Sequence, residues 1–197
     1  MLHVTELGAS HLHGLAILAL TSLALVAPAI AGDSGGDASA QARTPLVAIP
    51  NARVPIDGLL SGGQPTPAQI EAAANGGFLT VINLRTDQEP GFEWEREAVE
   101  RAGMRYVPIP VGADGLAREN VERIDAALAE ALAEGPVLLH CGSGNRIGAV
   151  LALREAWLGG KQPEEALSYG LASGLTGLEG KVREILELPS EDTPKAP

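Results

Sequence analysis

The spacing of apolar positions changes several times along this chain, and each change marks an element. Val54-Pro55-Ile56 and Leu59-Leu60-Ser61 flank Asp57-Gly58, a two-residue hairpin signal. Thr66-Pro67 is an N-cap followed by proline at the first helical position. The helix it opens runs to about Ala74 and is stopped by Asn75-Gly76-Gly77. Leu79 to Leu84 is an apolar strand, and Trp94, Ala98, Val99 and Ala102 form a helical stripe that ends at Gly103. Arg105 to Ile109 reads as a second such strand, short or irregular because Pro108 lies inside it. Val121, Ile124, Leu128 and Leu132 mark an amphipathic helix that ends at Gly135-Pro136. Val137 to Leu139 is a buried strand, followed from Ile147 to Leu158 by a helix apolar nearly all round, hence central. Two more helices are expected over 163–171 and 178–186.

Strands alternating with helices predict an α/β domain of three layers, with a mostly parallel central sheet and helices on both faces. Ligands of such sheets bind beyond the carboxyl ends of the strands. The domain is expected over 53–188. Residues 32–52 are rich in Gly, Ser, Ala and Asp and read as a flexible linker, and 189–197, rich in proline, as a disordered tail. Residues 1–31 read as an export signal: Gly14 to Ala27 is apolar and Ala29-Ile30-Ala31 fits the small-x-small cleavage pattern. The segment before Gly14 is atypical, carrying no Lys or Arg. A periplasmic or secreted protein with no stable membrane span after cleavage is expected.

Of 197 residues, 45% are hydrophobic, enough for one domain with a core. Lys and Arg total 14 against 25 Asp and Glu, a net charge of −11 that argues against nucleic acid as a partner. Any anion site must therefore be locally built. Removing the leader takes away His3, His11 and His13 and leaves His140 and Cys141 as the single histidine and cysteine. That rules out an internal disulfide and a zinc site built from several His or Cys ligands, so no metal or cofactor is expected. A Ser-His-Asp triad could use only His140.

Those two residues open the densest chemistry in the chain. The strand delivers Cys141 into Gly142-Ser143-Gly144-Asn145-Arg146, and a helix follows at once. A thiol, flexible backbone N–H groups, a helix N-terminus and a guanidinium meet there, a combination that stabilises a thiolate and binds an oxyanion. The expected chemistry is in-line attack by Cys141 on phosphorus, with the loop N–H groups and Arg146 on the equatorial oxygens. Adjacent strand side chains point to opposite faces, so His140 is expected to support the loop rather than act as an in-line base. The bland alternatives are a buried apolar cysteine and an Arg146 paired with a carboxylate.

Four segments then resemble the beta-lactamase-hydrolase-like phosphatase family, a bacterial branch of the cysteine-dependent dual-specificity phosphatases. They are Leu60-Ser61-Gly62-Gly63-Gln64-Pro65-Thr66, Thr80-Val81-Ile82-Asn83-Leu84-Arg85, Tyr106-Val107-Pro108-Ile109-Pro110-Val111 and His140 to Arg146. The resemblance implies a cysteine-phosphatase-like fold, Cys141 as nucleophile, Arg146 as phosphate clamp and a phosphoprotein or small phosphate ester as substrate. It places the general acid at Asp114, ahead of Asp87 and Glu89. No oligomeric state follows from it. The family name does not imply β-lactamase chemistry, because no His-x-His-x-Asp-His motif is present. In two respects the loop departs from the usual signature: four residues rather than five separate Cys141 from Arg146, and Ile147 stands where Ser or Thr is common. Ser143-Gly144-Asn145-Arg146 also resembles the loop of rhodanese-type sulfurtransferases, whose cysteine carries a persulfide. An inactive oxyanion-binding module is the third reading.

Overall fold

The computed structural model describes residue 44 and residues 46–190. The expected export signal, residues 32–43 and 45 of the expected linker and residues 191–197 of the expected tail lie outside the described residues. The elements are β1 (Arg53–Ile56), β2 (Leu59–Gly62), α1 (Pro67–Asn75), β3 (Thr80–Asn83), α2 (Glu95–Arg101) and β4 (Arg105–Pro108). They continue with α3 (Arg118–Glu134), β5 (Val137–His140), α4 (Asn145–Trp157), α5 (Pro163–Ala172) and α6 (Glu179–Ile185).

The strands form one five-stranded sheet in the order β1-β2-β5-β3-β4. β2, β5, β3 and β4 are mutually parallel, and β1 joins the edge as the antiparallel arm of a hairpin. The hairpin turns at Asp57-Gly58, where Gly58 has φ of 81°, open to glycine at little cost. β4 forms the other edge, which is where a strand ending in Pro108 can lie without breaking a ladder.

Side chains alternate across the sheet, and the apolar run of each central strand feeds two cores. Leu59, Ile82 and Leu139 pack with residues of α3 to α6, among them Ile124, Leu128, Ile147 and Leu151. Leu60, Val81 and Leu138 pack on the other face with Ile70, Ala73 and Val99 of α1 and α2. This is the expected three-layer α/β arrangement, with α4 buried along nearly its whole length. α4 begins at Asn145, earlier than its first apolar residue, Ile147. Its close approach to α5 depends on small residues: a Cβ at Gly170 would lie 2.6 Å from Ala152 Cβ. No helix among the described residues is long and apolar enough to cross a membrane.

Residues 46–52, expected as the end of a flexible linker, are packed instead. Val47 and Ile49 alternate into the α1–α2 core. Thr44 Oγ1 accepts a hydrogen bond from Gly58 N at 2.7 Å, and Pro50 O accepts one from Gly63 N at 2.7 Å. Gln69 Nε2 in α1 donates to Ala48 O. Gly62 makes room for this segment, since a Cβ there would lie 2.6 Å from Ile49 Cδ1 and 2.7 Å from Pro50 O. The same region starts α1 through a capping box. Thr66 Oγ1 accepts from Gln69 N, and Gln69 Oε1 accepts from Thr66 N at 2.8 Å. Such a cap contributes about 1 kcal/mol.

Candidate active site

The parallel strands end in register: Gly62 and Asn83 both pair with His140, and Pro108 pairs with Asn83. The segments that leave them converge at one edge of the sheet, where a ligand of an open α/β sheet binds.

The central segment is the expected loop. Cys141 N donates to Gly62 O at 3.2 Å, and His140 O accepts from Leu84 N at 2.9 Å, so the sheet ladder continues into the cysteine. The chain then bends, and Gly144, at φ of 91°, turns it into α4. Neighbouring segments hold the loop carbonyls: Gly142 O accepts from Gln64 N at 3.1 Å, and Ser143 O accepts from Asn51 Nδ2 at 3.0 Å. Gly144 N donates to Cys141 Sγ at 3.1 Å, placing a donor on the sulfur. The N–H groups of Gly142, Ser143, Asn145 and Arg146 donate to no other described residue. They form, with the start of α4, a set of free donors of the kind that holds an oxyanion. Cys141 itself is buried, 1% exposed, at the foot of this loop.

Arg146 is fixed by the edge of the sheet. Its Nη1 donates to Leu84 O at 3.2 Å, Val111 O at 3.1 Å and Glu89 Oε1 at 2.7 Å, and its Nη2 donates to Glu89 Oε2 at 2.6 Å. A guanidinium has five N–H donors in a planar fork. These contacts use the Nη1–Nη2 end and leave Nε–H and the second Nη2–H without an oxygen acceptor among the described residues, with the Cys141 sulfur nearby. That remaining edge can take a tetrahedral oxyanion in bidentate fashion. Burial works against the Arg146 charge, but the bonds to Glu89 and the nearby Cys141 sulfur outweigh it and push the pKa up.

Glu89, ranked behind Asp114 as a candidate for the acid, has another role in the structure. Burial raises its pKa, but hydrogen bonds from Arg146, Thr86 N and Arg85, and the charge of Arg146, hold it down at about 2. A carboxyl that ionised is an anchor for Arg146, not a proton donor at neutral pH. Asp87 and Asp114 are both exposed. Asp114 lies in the turn closed by Gly115 N donating to Gly112 O at 3.0 Å, with no hydrogen bond or ion pair to a described residue. Its loop starts at Val111, whose carbonyl holds Arg146.

Behind the loop, on the opposite face from Cys141, lies a buried polar cluster that the sequence reading missed. Glu95, at the start of α2, is 0% exposed. It accepts from Gln64 Nε2 at 2.8 Å, Asn83 Nδ2 at 2.8 Å and Tyr106 OH at 3.2 Å. His140 Nε2 lies 3.0 Å from Glu95 Oε1, close enough for an ion pair but off the line of a hydrogen bond, and Nδ1 has no partner among the described residues. Burial, then the Glu95 carboxylate, push the Tyr106 phenol up to about 12, so it stays a donor to Glu95. Gln64 links cluster and loop: its side chain binds Glu95 and accepts from Arg85 Nη1 at 2.6 Å, while its backbone N–H holds Gly142 O. Glu95 sits at the spacing of Val99 and Ala102, so a carboxylate on the buried stripe was the signal available in the sequence.

Comparison with known proteins is consistent with this geometry. Residues 51–157 match the model of the family described as beta-lactamase hydrolase-like protein, phosphatase-like domain. A beta-lactamase hydrolase-like protein from Xylella fastidiosa is 33% identical over 141 residues, 70% of this chain and 32% of that protein. The chain thus spans about a third of the length of the curated relatives it matches. A candidate phosphatase from Shewanella putrefaciens superposes with a TM-score of 0.56 at 27% identity, covering 70% of this chain and 87% of that one. One from Neisseria meningitidis does so with a TM-score of 0.56 at 26% identity, covering 66% of this chain and 95% of that one.

Proposed function

The chain belongs to the phosphatase-like domain family of beta-lactamase hydrolase-like proteins, a family of phosphatase-type hydrolases, and from this premise we propose that it hydrolyses a phosphate monoester with Cys141 as the nucleophile. One observation carries the reading: the sulfur accepts the Gly144 N–H while the open edge of Arg146 and the free N–H groups of the loop stand around it. A thiolate has its charge balanced there, and so do the equatorial oxygens of a transferring phosphoryl group.

In the first step the sulfur attacks phosphorus in line. An S–P bond forms, the P–O bond to the leaving group breaks, and the leaving oxygen takes the electron pair and a proton. Asp114 is the proposed donor of that proton, since Glu89 is committed to Arg146 as the ionised form. Water then attacks phosphorus, the S–P bond breaks, and inorganic phosphate and the thiolate are released. The loop N–H groups and Arg146 serve both steps.

The test is turnover of p-nitrophenyl phosphate by the reduced full chain, abolished in Cys141→Ser. No turnover by the folded, reduced protein overturns the proposal. The four-residue span between Cys141 and Arg146 favours sulfur transfer as the second reading. Thiocyanate formation from thiosulfate and cyanide in place of phosphate release would establish it. Export, if it occurs, exposes the thiol to oxidation, so reductant belongs in both assays.

A further inference from the structure

Beside the loop lies a cavity of about 150 Å³ lined in part by Ser143, Asn51, Arg53, Leu171 and Thr176. The volume is below the roughly 300–1,000 Å³ of a self-sufficient ligand site, so it suits one arm of a ligand rather than a whole one. Among the described residues no acidic side chain lines it, and the single charge is the Arg53 guanidinium.

That charge is unusual in this protein. Of the lysines and arginines among the described residues, all but Arg53 and Arg123 have a carboxylate within an ion-pair distance. Arg123 is still bonded to the Asn120 side chain, on α3. Among the described residues, Arg53 donates only to its neighbour's carbonyl, Ala52 O, at 2.8 Å. A chain of net charge −11 has carboxylates to spare, yet none among the described residues reaches this guanidinium. The segment that carries it is pinned to the loop. Asn51 adopts φ of 54°, a conformation costing roughly 1 kcal/mol outside glycine, and its side chain is held by Ser143 O at 3.0 Å. Leu171, 39% exposed, and Leu175 contribute apolar surface to the same cavity.

We propose that this cavity is a second anion subsite, and that the preferred substrates are phosphate monoesters whose leaving group bears a further phosphate or carboxylate on a short apolar spacer. This rests on the phosphatase reading for the loop itself. The reacting phosphate occupies the loop, the spacer lies against Leu171, and the second anion meets Arg53. An unpaired guanidinium can grip either anion with two parallel hydrogen bonds.

The experiment compares p-nitrophenyl phosphate, 3-carboxyphenyl phosphate and benzene-1,3-diol bisphosphate on the native chain and on Arg53→Ala and Arg53→Lys. Arg53→Ala is expected to lower kcat/KM for substrates with the second anion about five- to tenfold, with p-nitrophenyl phosphate unchanged and Arg53→Lys intermediate. Loss for the bisphosphate alone assigns the subsite to phosphate, and loss for both assigns it to anions generally; either upholds the proposal. An equal loss for all three substrates, or no loss for any, overturns it. Calorimetry on Cys141→Ser separates this from the phosphatase reading. If p-nitrophenyl phosphate is not hydrolysed, that reading fails. The subsite then still stands if the bisphosphate binds more tightly than inorganic phosphate and Arg53→Ala removes the difference, and it falls if the affinities are equal.

Discussion

Glu89 grips Arg146 by the end of its guanidinium and leaves the side of the fork open. The two bonds, Nη1 to Oε1 at 2.7 Å and Nη2 to Oε2 at 2.6 Å, are parallel and charge-assisted. They join residues far apart in the chain, and two backbone carbonyls, Leu84 O and Val111 O, brace the same nitrogen. A long side chain held at three points has lost its rotamer freedom before an anion arrives, so that entropy is not charged against binding.

If Glu89 positions Arg146, removing it must slow the reaction. Glu89→Ala is expected to lower kcat/KM for p-nitrophenyl phosphate by about ten- to a hundredfold, the loss of one charge-assisted anchor worth roughly 1.5–3 kcal/mol. Glu89→Gln keeps one acceptor oxygen and should lie between. Were Glu89 instead a plug that a phosphate must displace, Glu89→Ala would raise activity and tighten inhibition by inorganic phosphate. Steady-state kinetics with phosphate as inhibitor decides between the two.

The same carboxylate makes stability depend on acid. Its pKa is about 2 in the folded protein against the usual 4.5. A depressed carboxyl contributes stability that is fully present above its unfolded value and is lost as pH falls through the folded one. Native protein should therefore exceed Glu89→Gln in stability at neutral pH, and the gap should close between about pH 4.5 and pH 2. Urea unfolding of both proteins across that range measures it. A gap that widens on acidification would contradict the sign.

Glu95 anchors the loop from behind. Replacing it by Leu removes the buried acceptor that the Gln64 amide, the Asn83 amide and the Tyr106 hydroxyl share. The expected cost is about 3–5 kcal/mol, a fall in Tm of roughly 10 °C for a domain of this size. Glu95→Gln keeps an acceptor and should cost less. It also removes the negative charge beside Tyr106, whose phenol is expected to titrate below its present value of about 12. Calorimetry and ultraviolet titration of the tyrosines check the two halves separately.

The elements were legible because each carries its own period and punctuation. Thr66-Pro67 opened α1, Asp57-Gly58 turned the hairpin, and Cys141 to Arg146 sit in one short stretch. The two glutamates were not legible in the same way. Glu89 meets Arg146 across a sequence separation of 57, and Glu95 meets Gln64 across 31. Such pairings are set by strand order, which no local pattern reveals. Val47 and Ile49 were hidden for another reason: an alternating apolar pair was averaged into a stretch rich in glycine and serine. Asp114 was placed by resemblance to a loop position, and the chain there forms an exposed turn that leaves its carboxylate without a partner among the described residues.

Asp114 as proton donor has a kinetic signature. Asp114→Asn should slow phosphate esters of poor leaving groups by about a hundredfold while sparing p-nitrophenyl phosphate, whose leaving oxygen needs little protonation. A series of aryl phosphates of graded leaving-group pKa reads this as a steeper dependence in the variant. Identical slopes would remove Asp114 from the mechanism and return the role to water.

Two glycines of the loop and its helix separate function from folding. Gly144 has φ of 91°, and a Cβ there would find its nearest neighbour, Gly62 C, at 3.5 Å, an ordinary contact. Gly144→Ala therefore bears only the backbone cost of about 1–2 kcal/mol. Its relief is a rotation of the peptide that now places an N–H on Cys141 Sγ, so activity should fall far more than stability. Gly148 is the opposite case. Its φ is ordinary for a helix, but a Cβ would lie 2.0 Å from Leu175 N and 2.6 Å from Leu175 Cα, backbone atoms that no rotamer change can move. Gly148→Ala must push α4 off the 174–175 segment and is expected to cost more than about 3 kcal/mol. Parallel thermal melts and turnover should find Gly144→Ala folded and nearly inactive, and Gly148→Ala depleted in folded protein. A well-folded but inactive Gly148→Ala would show that α4 can shift along its packing face, and would put the loop's rigidity in the helix rather than in the sheet.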